Sequence, residues 1–253
     1  DEAFLSQLFR YRFSDDLSGL QGHSFGNLFI TALADITGSF EAAVAESGRV
    51  LAVNGRVLPA TLHDVRLVAD VLLPNLVNEV RVEGESQIPE VSGKVRRVWL
   101  EPNTPPAFPQ ALRAILNADL ILVGPGSLYT SVLPNLLVPD IIEAIRSSRA
   151  MKIYICNVAT QPGETDGYSC RDHIHAIEEH VGSGIFDIIL VNERCAGTLP
   201  DKVQWVQMDE AMEEYPIHAA DLADEMHPWR HDSAKLAKVI IDLLEERTGP
   251  LVE

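Results

Sequence analysis

The sequence has little cysteine, little positive charge and no long apolar segment. Its three cysteines, Cys156, Cys170 and Cys195, form an odd set without C-x-x-C spacing, which fits neither a disulfide framework nor a zinc knuckle. No apolar run approaches the roughly 20 residues that a membrane-spanning helix needs, and no basic and apolar leader opens the sequence. We therefore expect a cytoplasmic protein in a reducing compartment, without a membrane partner.

Positive charge is scarce, because 20 lysines and arginines face 37 aspartates and glutamates and leave a formal net charge of -17. Such a surface repels the phosphate backbone of nucleic acid, so a nucleic-acid partner is not expected. It does not exclude a small anionic ligand, since backbone dipoles and a bound cation reverse the field inside a cleft. It also leaves open an acidic interaction surface that docks a basic protein.

What is present is typical of a globular protein, with 46% hydrophobic residues in a chain of 253. This length and composition predict one large domain over residues 1–253. Near its start, apolar residues at helical spacing predict a helix over residues 17–36. His23 and Asn27 fall on the opposite side of that helix, facing solvent or a site. Gly22 and Gly26 each weaken the helix by about 1 kcal/mol, which close packing or a ligand would explain.

Further along, short apolar runs alternate with helical segments. Strands are predicted at residues 65–71, 95–100, 120–123, 152–156, 187–191, 203–206 and 217–220, with a hairpin-like stretch at 73–93. Helices are predicted at residues 40–45, 109–116, 135–147, 171–181 and 233–246, the last with Asp232 as its N-cap. The alternation in the second half predicts a buried, parallel sheet of an α/β fold.

The first candidate site follows the strand at residues 120–123. Its glycines allow close backbone approach and its hydroxyls can donate to a phosphate or carboxylate. The candidate ligand-binding residues here are Gly124, Gly126, Ser127, Tyr129 and Thr130. An ordinary tight turn in which Ser127 or Thr130 caps the next helix is the alternative, because neither a Walker A pattern nor a full G-x-G-x-x-G is present.

A second candidate site is the polar loop at residues 157–167, which is longer than a simple connection requires. Its side chains can hydrogen-bond a base or a sugar, and its carboxylates can bind Mg²⁺ that carries a diphosphate. The candidate ligand-binding residues are Asn157, Thr160, Gln161 and Thr165, and the candidate metal ligands are Glu164 and Asp166. Alternatively, Pro162-Gly163 is an ordinary turn and Ser169 with Asp172 is a capping box for the following helix.

A third strand ends at Asn192, whose amide can read a base edge, and Arg194 follows as an anion partner or a solvated side chain. The carboxyl ends of parallel strands share one edge of a sheet, so the three candidate loops are expected to meet there. A metal site at His227 and His231 is not expected, since Pro228 interrupts the helical spacing. No G-x-S-x-G motif is present, and no catalytic residue is assigned.

Four motifs in order carry a family resemblance: GHSFGN at residues 22–27, GRVLPAT at 55–61, the segment 124–137, and TQPGETDG at 160–167. Together they resemble the CofD-like family of the YvcK type. The resemblance implies a Rossmann-like α/β fold, with a mostly parallel sheet and helices on both faces. It also implies a glycine-rich first strand-to-helix unit, which we expect upstream of residue 1 because residues 1–9 read like the tail of a helix.

The resemblance implies two functions. The closer one is that of the gluconeogenesis factors, implicated in growth and cell shape on gluconeogenic carbon, here as a nucleotide- or nucleotide-sugar-binding protein that need not turn over its ligand. The alternative is a 2-phospho-L-lactate transferase of coenzyme F420 synthesis, with a nucleoside-diphosphate-linked donor, a deazaflavin acceptor and Mg²⁺. Mg²⁺ is thus the one cofactor suggested, no redox cofactor is expected, and a homo-oligomer is compatible with the sequence.

Overall fold

The computed structural model describes residues 2–14, 19–20, 23–51, 54–74, 78–209 and 212–248. Contacts within the chain divide it into two compact units, Asp1–Leu62 and His63–Glu253. Unit 1 is helical, and unit 2 contains both sheets.

Unit 1 contains three helices, in which aromatic rings of the first two pack edge to face. The ring of Phe9 lies 5.4 Å from that of Phe25 and 5.2 Å from that of Phe29. The helices are α1 (Glu2–Arg10), α2 (Phe25–Thr37) and α3 (Phe40–Val50).

The start of α2 differs from the sequence prediction. The helix begins at Phe25 rather than at residue 17, because the hydroxyl of Ser24 accepts a hydrogen bond from the Asn27 N–H and acts as the N-cap. Gly22 lies outside the described residues. Gly26 falls in the first turn of the helix, where an added Cβ would lie 3.1 Å from the carbonyl oxygen of Phe9. Close packing therefore accounts for this glycine.

Unit 2 begins with an antiparallel sheet in the order β2-β1-β3. The two predicted strands and the hairpin between them are confirmed as β1 (Arg66–Leu72), β2 (Glu79–Glu83) and β3 (Lys94–Glu101). At the outer edge of β3, the Val98 N–H donates to Nε2 of His180, which satisfies one of the donors that an edge strand leaves unpaired.

The second sheet has four parallel strands in the order β4-β5-β6-β7, as predicted from the alternating pattern. The strands are β4 (Leu120–Val123), β5 (Met151–Ile155), β6 (Ile188–Asn192) and β7 (Ile217–Ala220). The predicted strand at residues 203–206 is wrong. Only an isolated bridge joins Ala159 to Trp205, because this segment pairs with the irregular loop beyond β5 rather than with a strand.

Helices cover both faces of the parallel sheet. On one face, a helix near the end of the chain packs against alternate residues of β5. This contact joins Ile240, Leu243 and Leu244 to Met151, Ile153 and Ile155. On the other face, the Cys170 thiol lies beside that of Cys156, and this neighbour together with burial raises the pKa of Cys156. The predicted Rossmann-like α/β class is confirmed.

The helices of unit 2 are α4 (Pro109–Leu116), a π-helical segment (Leu128–Val132), α5 (Leu133–Leu136), α6 (Pro139–Ser147), α7 (Cys170–Val181) and α8 (Ser233–Thr248). The single helix predicted at residues 135–147 is in fact two. Val138 takes an extended backbone conformation before Pro139, which disfavours a helical residue in front of it.

None of the described helices is by itself both long and apolar enough to cross a membrane. Two bent helix pairs reach the required length and composition only jointly, Phe25–Thr37 with Phe40–Val50 and Leu128–Leu136 with Pro139–Ser147.

Candidate functional site

The loop after β4 begins with a glycine that the backbone requires. Gly124 has φ of +88°, and a Cβ at this position would lie 2.8 Å from the Ile155 carbonyl oxygen. Gly126 differs, since a Cβ there would make ordinary contacts at 3.5 Å or more. The predicted close approach of the backbone therefore occurs at Gly124, and the neighbouring segment there is β5.

The loops after β4 and β5 are joined by two side-chain amides. Nε2 of Gln161 donates to Oγ of Ser127 at 2.8 Å, and Nδ2 of Asn157 donates to the Gly126 carbonyl at 3.0 Å. Because β4 and β5 are parallel neighbours, both loops leave the same edge of the sheet. The structure therefore brings these four predicted residues together.

This junction leaves polar groups unpaired. Oε1 of Gln161 is buried and has no hydrogen-bond partner among the described residues. The backbone N–H groups of Gly126, Ser127 and Leu128 likewise donate to no described residue. Consecutive free N–H groups ahead of a helical segment attract anions.

The buried side chain of Glu164 accepts two hydrogen bonds from the start of the π-helical segment. Its Oε1 accepts from Oγ1 of Thr130 at 2.8 Å, and its Oε2 accepts from the Tyr129 N–H at 3.3 Å. Burial raises the pKa of this carboxyl group, and the hydrogen bonds from Thr130 and Tyr129 oppose that shift. Thr130 and Glu164 already bond each other, so their predicted contacts with phosphate and Mg²⁺ stay predictions.

Three other predicted ligand contacts belong to buried side chains with internal partners. Oγ1 of Thr165, which is 0% exposed, accepts from the Gln161 N–H, and Oγ1 of Thr160 accepts from the Gln204 N–H. The hydroxyl of Tyr129 lies 2.8 Å from that of Tyr168. In this structure these hydroxyls hold the loop in place, and their contact with a ligand remains a prediction.

Asn192 connects the ends of β6 and β7. Its Oδ1 accepts from the Leu222 N–H at 3.0 Å, and its Nδ2 donates to the Arg194 carbonyl at 2.9 Å. The Arg194 side chain pairs with Asp221 at 3.1 Å. The amide predicted to read a base is therefore engaged in holding two strand ends together.

His23 and Asn27 lie in unit 1, and both side chains are exposed. Asn27 is in the first turn of α2, whereas His23 precedes the helix. Their predicted helical spacing on one face is therefore wrong, since only Asn27 belongs to the helix.

Asp166, the second predicted metal ligand, is exposed, and its Oδ2 accepts from the Gly163 N–H at 2.7 Å. No three or more His, Cys, Asp or Glu side chains in the described part of the chain are placed to hold a metal ion. Mg²⁺ commonly uses one or two carboxylates together with substrate phosphates. The Mg²⁺ prediction therefore depends on a bound phosphate.

Sequence reasoning missed a cavity of about 610 Å³ in unit 2, whose wall includes Glu164 and Asp166. Lys94, Tyr168 and Lys202 also line it. These residues lie far apart in the sequence and share no motif, so only the folded chain shows that they meet.

A family model described as 2-phospho-L-lactate transferase CofD matches residues 1–248. The chain belongs to the CofD family. The family resemblance seen in the four sequence motifs is thereby confirmed.

Relatives of this CofD-family chain include a Nostoc protein, 48% identical over 95% of this chain and 54% of that protein. The gluconeogenesis factor of Bacillus subtilis is 41% identical over 97% of this chain and 78% of that protein. A crystal structure of a UPF0052-family protein from Bacillus halodurans has 41% identity and a TM-score of 0.80, covering 95% of this chain and 78% of that chain. The family model, the solved structure and the named relatives therefore support the same family assignment.

Proposed function

We propose that this CofD-family chain binds a nucleotide or nucleotide sugar in the loops that follow β4 and β5. One observation carries the proposal: the hydrogen bond from Gln161 to Ser127 joins the two loops, while Gln161 Oε1 is buried and has no partner in the described part of the chain. A buried acceptor left without a donor costs about 1–3 kcal/mol, and a ligand hydroxyl would remove that cost.

The chemistry of the junction matches the two halves of such a ligand. The N–H groups of Gly126, Ser127 and Leu128, with the Ser127 hydroxyl, can donate to a phosphate. Gln161 Oε1 can accept from a sugar hydroxyl next to that phosphate. A diphosphate bound there would bring Mg²⁺, for which Asp166 is the exposed carboxylate of the neighbouring loop.

At the level of the cell, we propose the role that the relatives' name suggests. The chain would report nucleotide or nucleotide-sugar supply during growth on gluconeogenic carbon, with an effect on cell shape, and would not need to turn over its ligand. Its three free cysteines suit the reducing cytoplasm.

The second candidate is transfer of a phosphorus-linked group, favoured by the description of the matching family model. Ser127 and the adjacent N–H groups would hold the donor phosphates, and Mg²⁺ would offset their charge. Product formed from a guanosine diphosphate-linked donor and a deazaflavin acceptor with Mg²⁺ would support it. Absence of product under nucleotide saturation would eliminate it.

Calorimetry with uridine and guanosine diphosphates and their sugars, with and without Mg²⁺, tests the proposal on the whole chain. We expect saturable binding of at least one ligand. Ser127→Ala should weaken it about tenfold, the loss of one hydrogen bond. The matched control is Ser147→Ala, an exposed serine at the end of α6. No saturable binding by any of these ligands, or equal effects of both variants, would refute the proposal.

A further inference from the structure

We infer that the 610 Å³ cavity of unit 2 is a second ligand site, for a small anion that carries several hydroxyl groups. Its volume falls within the range of about 300–1,000 Å³ that small-molecule sites occupy. Gly126, Ser127 and Gln161 do not line it, so it differs from the phosphate-binding part of the proposed nucleotide site, with which it shares only the carboxylate of Asp166.

Three segments that are distant in the sequence build the wall. They are the end of β1, the turn that leads into β3, and the loop at residues 162–168, joined by Lys202. Two glycines let these segments approach. A Cβ at Gly93 would lie 2.6 Å from Cγ1 of Val71, and one at Gly163 would lie 2.3 Å from the Pro89 carbonyl oxygen. The cavity is therefore defined by backbone that fits only glycine at two points.

The lysines of the chain point to an anionic ligand. The sequence contains five: Lys94, Lys152, Lys202, Lys235 and Lys238. Lys152 bonds two backbone carbonyls, and Lys235 and Lys238 each pair with an aspartate. The other two, Lys94 and Lys202, form no ion pair with a described residue, and both line this cavity.

Lys94 makes a contact with an aromatic ring, and Lys202 has an unusual backbone conformation. The ammonium group of Lys94 lies 5.5 Å from the centre of the Tyr168 ring, a cation–π contact that orients it without neutralising its charge. Lys202 is the one non-glycine residue in the described chain with positive φ, at 64°. A lysine in this region of backbone space is uncommon and is frequently associated with a functional site.

The other residues that line the cavity indicate which further groups the ligand carries. Asp166 is exposed and fixed by the Gly163 N–H, so its free oxygen can accept from a hydroxyl group, and Ser92 can donate or accept. Glu164 is engaged with Thr130 and Tyr129 and adds no free acceptor. Leu72, Leu73 and Pro89 supply an apolar surface for a short carbon skeleton. A sugar phosphate or a sugar acid combines these features.

Calorimetry on the whole chain with glucose 6-phosphate and gluconate tests the site and distinguishes phosphate from carboxylate. Glucose, which has no anion, and inorganic phosphate, which has no hydroxylated skeleton, are the controls. We expect saturable binding of at least one sugar anion, at least tenfold tighter than either control. Failure of both sugar anions to bind at millimolar concentration overturns the inference, as does equally tight binding of inorganic phosphate.

Lysine variants locate the binding. The double variant Lys94→Gln/Lys202→Gln should bind the sugar anion at least tenfold more weakly. Lys238→Gln, which alters an exposed side chain of α8, should leave the affinity unchanged. Acetylation of the unaltered protein gives a second reading that does not depend on folding of a variant. Glucose 6-phosphate or gluconate, whichever binds, should slow modification of Lys94 and Lys202 at least threefold relative to Lys238. Equal rates with and without ligand overturn the assignment, even if nucleotide binding at Ser127 is intact.

Discussion

At the scale of single residues, Glu164 occupies hydrogen-bond donors at the start of the π-helical segment. It places a carboxylate against the Tyr129 N–H and the Thr130 hydroxyl, at the start of the π-helical segment. The N-terminal end of a helical segment carries partial positive charge, and here the buried carboxyl group of Glu164 already accepts from the Tyr129 N–H at that end. In the proposed nucleotide site, a ligand phosphate would therefore use the preceding N–H groups, at Gly126 to Leu128.

Substitution of Glu164 tests this role through stability. Glu164→Gln keeps an oxygen for the Tyr129 N–H and an amide for the Thr130 hydroxyl, so we expect a loss below about 1 kcal/mol at neutral pH. Glu164→Ala leaves buried groups without partners and should cost about 1–3 kcal/mol or more. Urea unfolding followed by circular dichroism gives both values, and equal losses would contradict this account.

The pH dependence of stability, compared between the native protein and Glu164→Gln, provides a control for this prediction. Burial raises the pKa of Glu164 in the folded state, so folding stabilises its protonated form. The native protein should lose this stabilisation as the pH rises from the ordinary glutamate value of about 4.3 through the raised pKa. The amide that replaces the carboxyl group in Glu164→Gln does not titrate. The stability of this variant relative to the native protein should therefore increase with pH, and a flat or falling difference would exclude the effect.

At the scale of elements, the loop at residues 157–168 connects β5 to α7 and contributes to both proposed sites. Gly163 and Gly167 both have positive φ, but only Gly163 approaches another segment, since a Cβ at Gly167 would meet nothing within 4 Å. Gly167→Ala should therefore cost about 1 kcal/mol from backbone strain alone. Gly163→Ala should cost about 1–3 kcal/mol more, because it forces Pro89 away.

The same two variants separate the cavity from the rest of the loop. Gly163→Ala should also weaken binding of the sugar anion, while Gly167→Ala should retain it. Urea unfolding measures the stabilities and calorimetry the binding. Equal stability losses in the two variants would show that contact with Pro89 does not hold the loop.

Elements with strong local signals were predictable from the sequence. The strands at residues 120–123 and 217–220 match β4 and β7, because short apolar runs between polar turns are typical of buried parallel strands. The run at residues 203–206 has the same appearance but pairs with the loop at 158–160. Whether a run joins a sheet depends on its neighbour in space, which local pattern does not contain.

The candidate site was predictable to the same extent. Its loops follow from the edge rule for parallel strands, which correctly brought Ser127 and Gln161 together. The contacts of Asn192 with Leu222 and of Glu164 with Thr130 were not predictable, because these partners lie 30 or more residues away and carry no motif. Polar side chains at strand ends therefore divide into those that hold the loops and those left for a ligand, and only the folded structure separates them.

At the scale of the whole molecule, the buried core is distributed unevenly between the two units. Among the described residues of unit 1, only Ala43, Val44 and Ser47 are buried. Unit 2 contains both sheets and every other buried residue that the structure describes. Apolar burial is the main stabilising contribution to folding, so the units should differ in their capacity to fold alone.

We expect His63–Glu253, expressed by itself, to unfold cooperatively on heating and to keep the far-ultraviolet circular dichroism of an α/β protein. Asp1–Leu62 alone should show no cooperative transition, because about 60 residues with three buried side chains offset little of the conformational entropy lost on folding. Thermal melts of the two fragments and the whole chain check this. A His63–Glu253 fragment that binds a hydrophobic dye and melts without a transition would instead support one domain over residues 1–253.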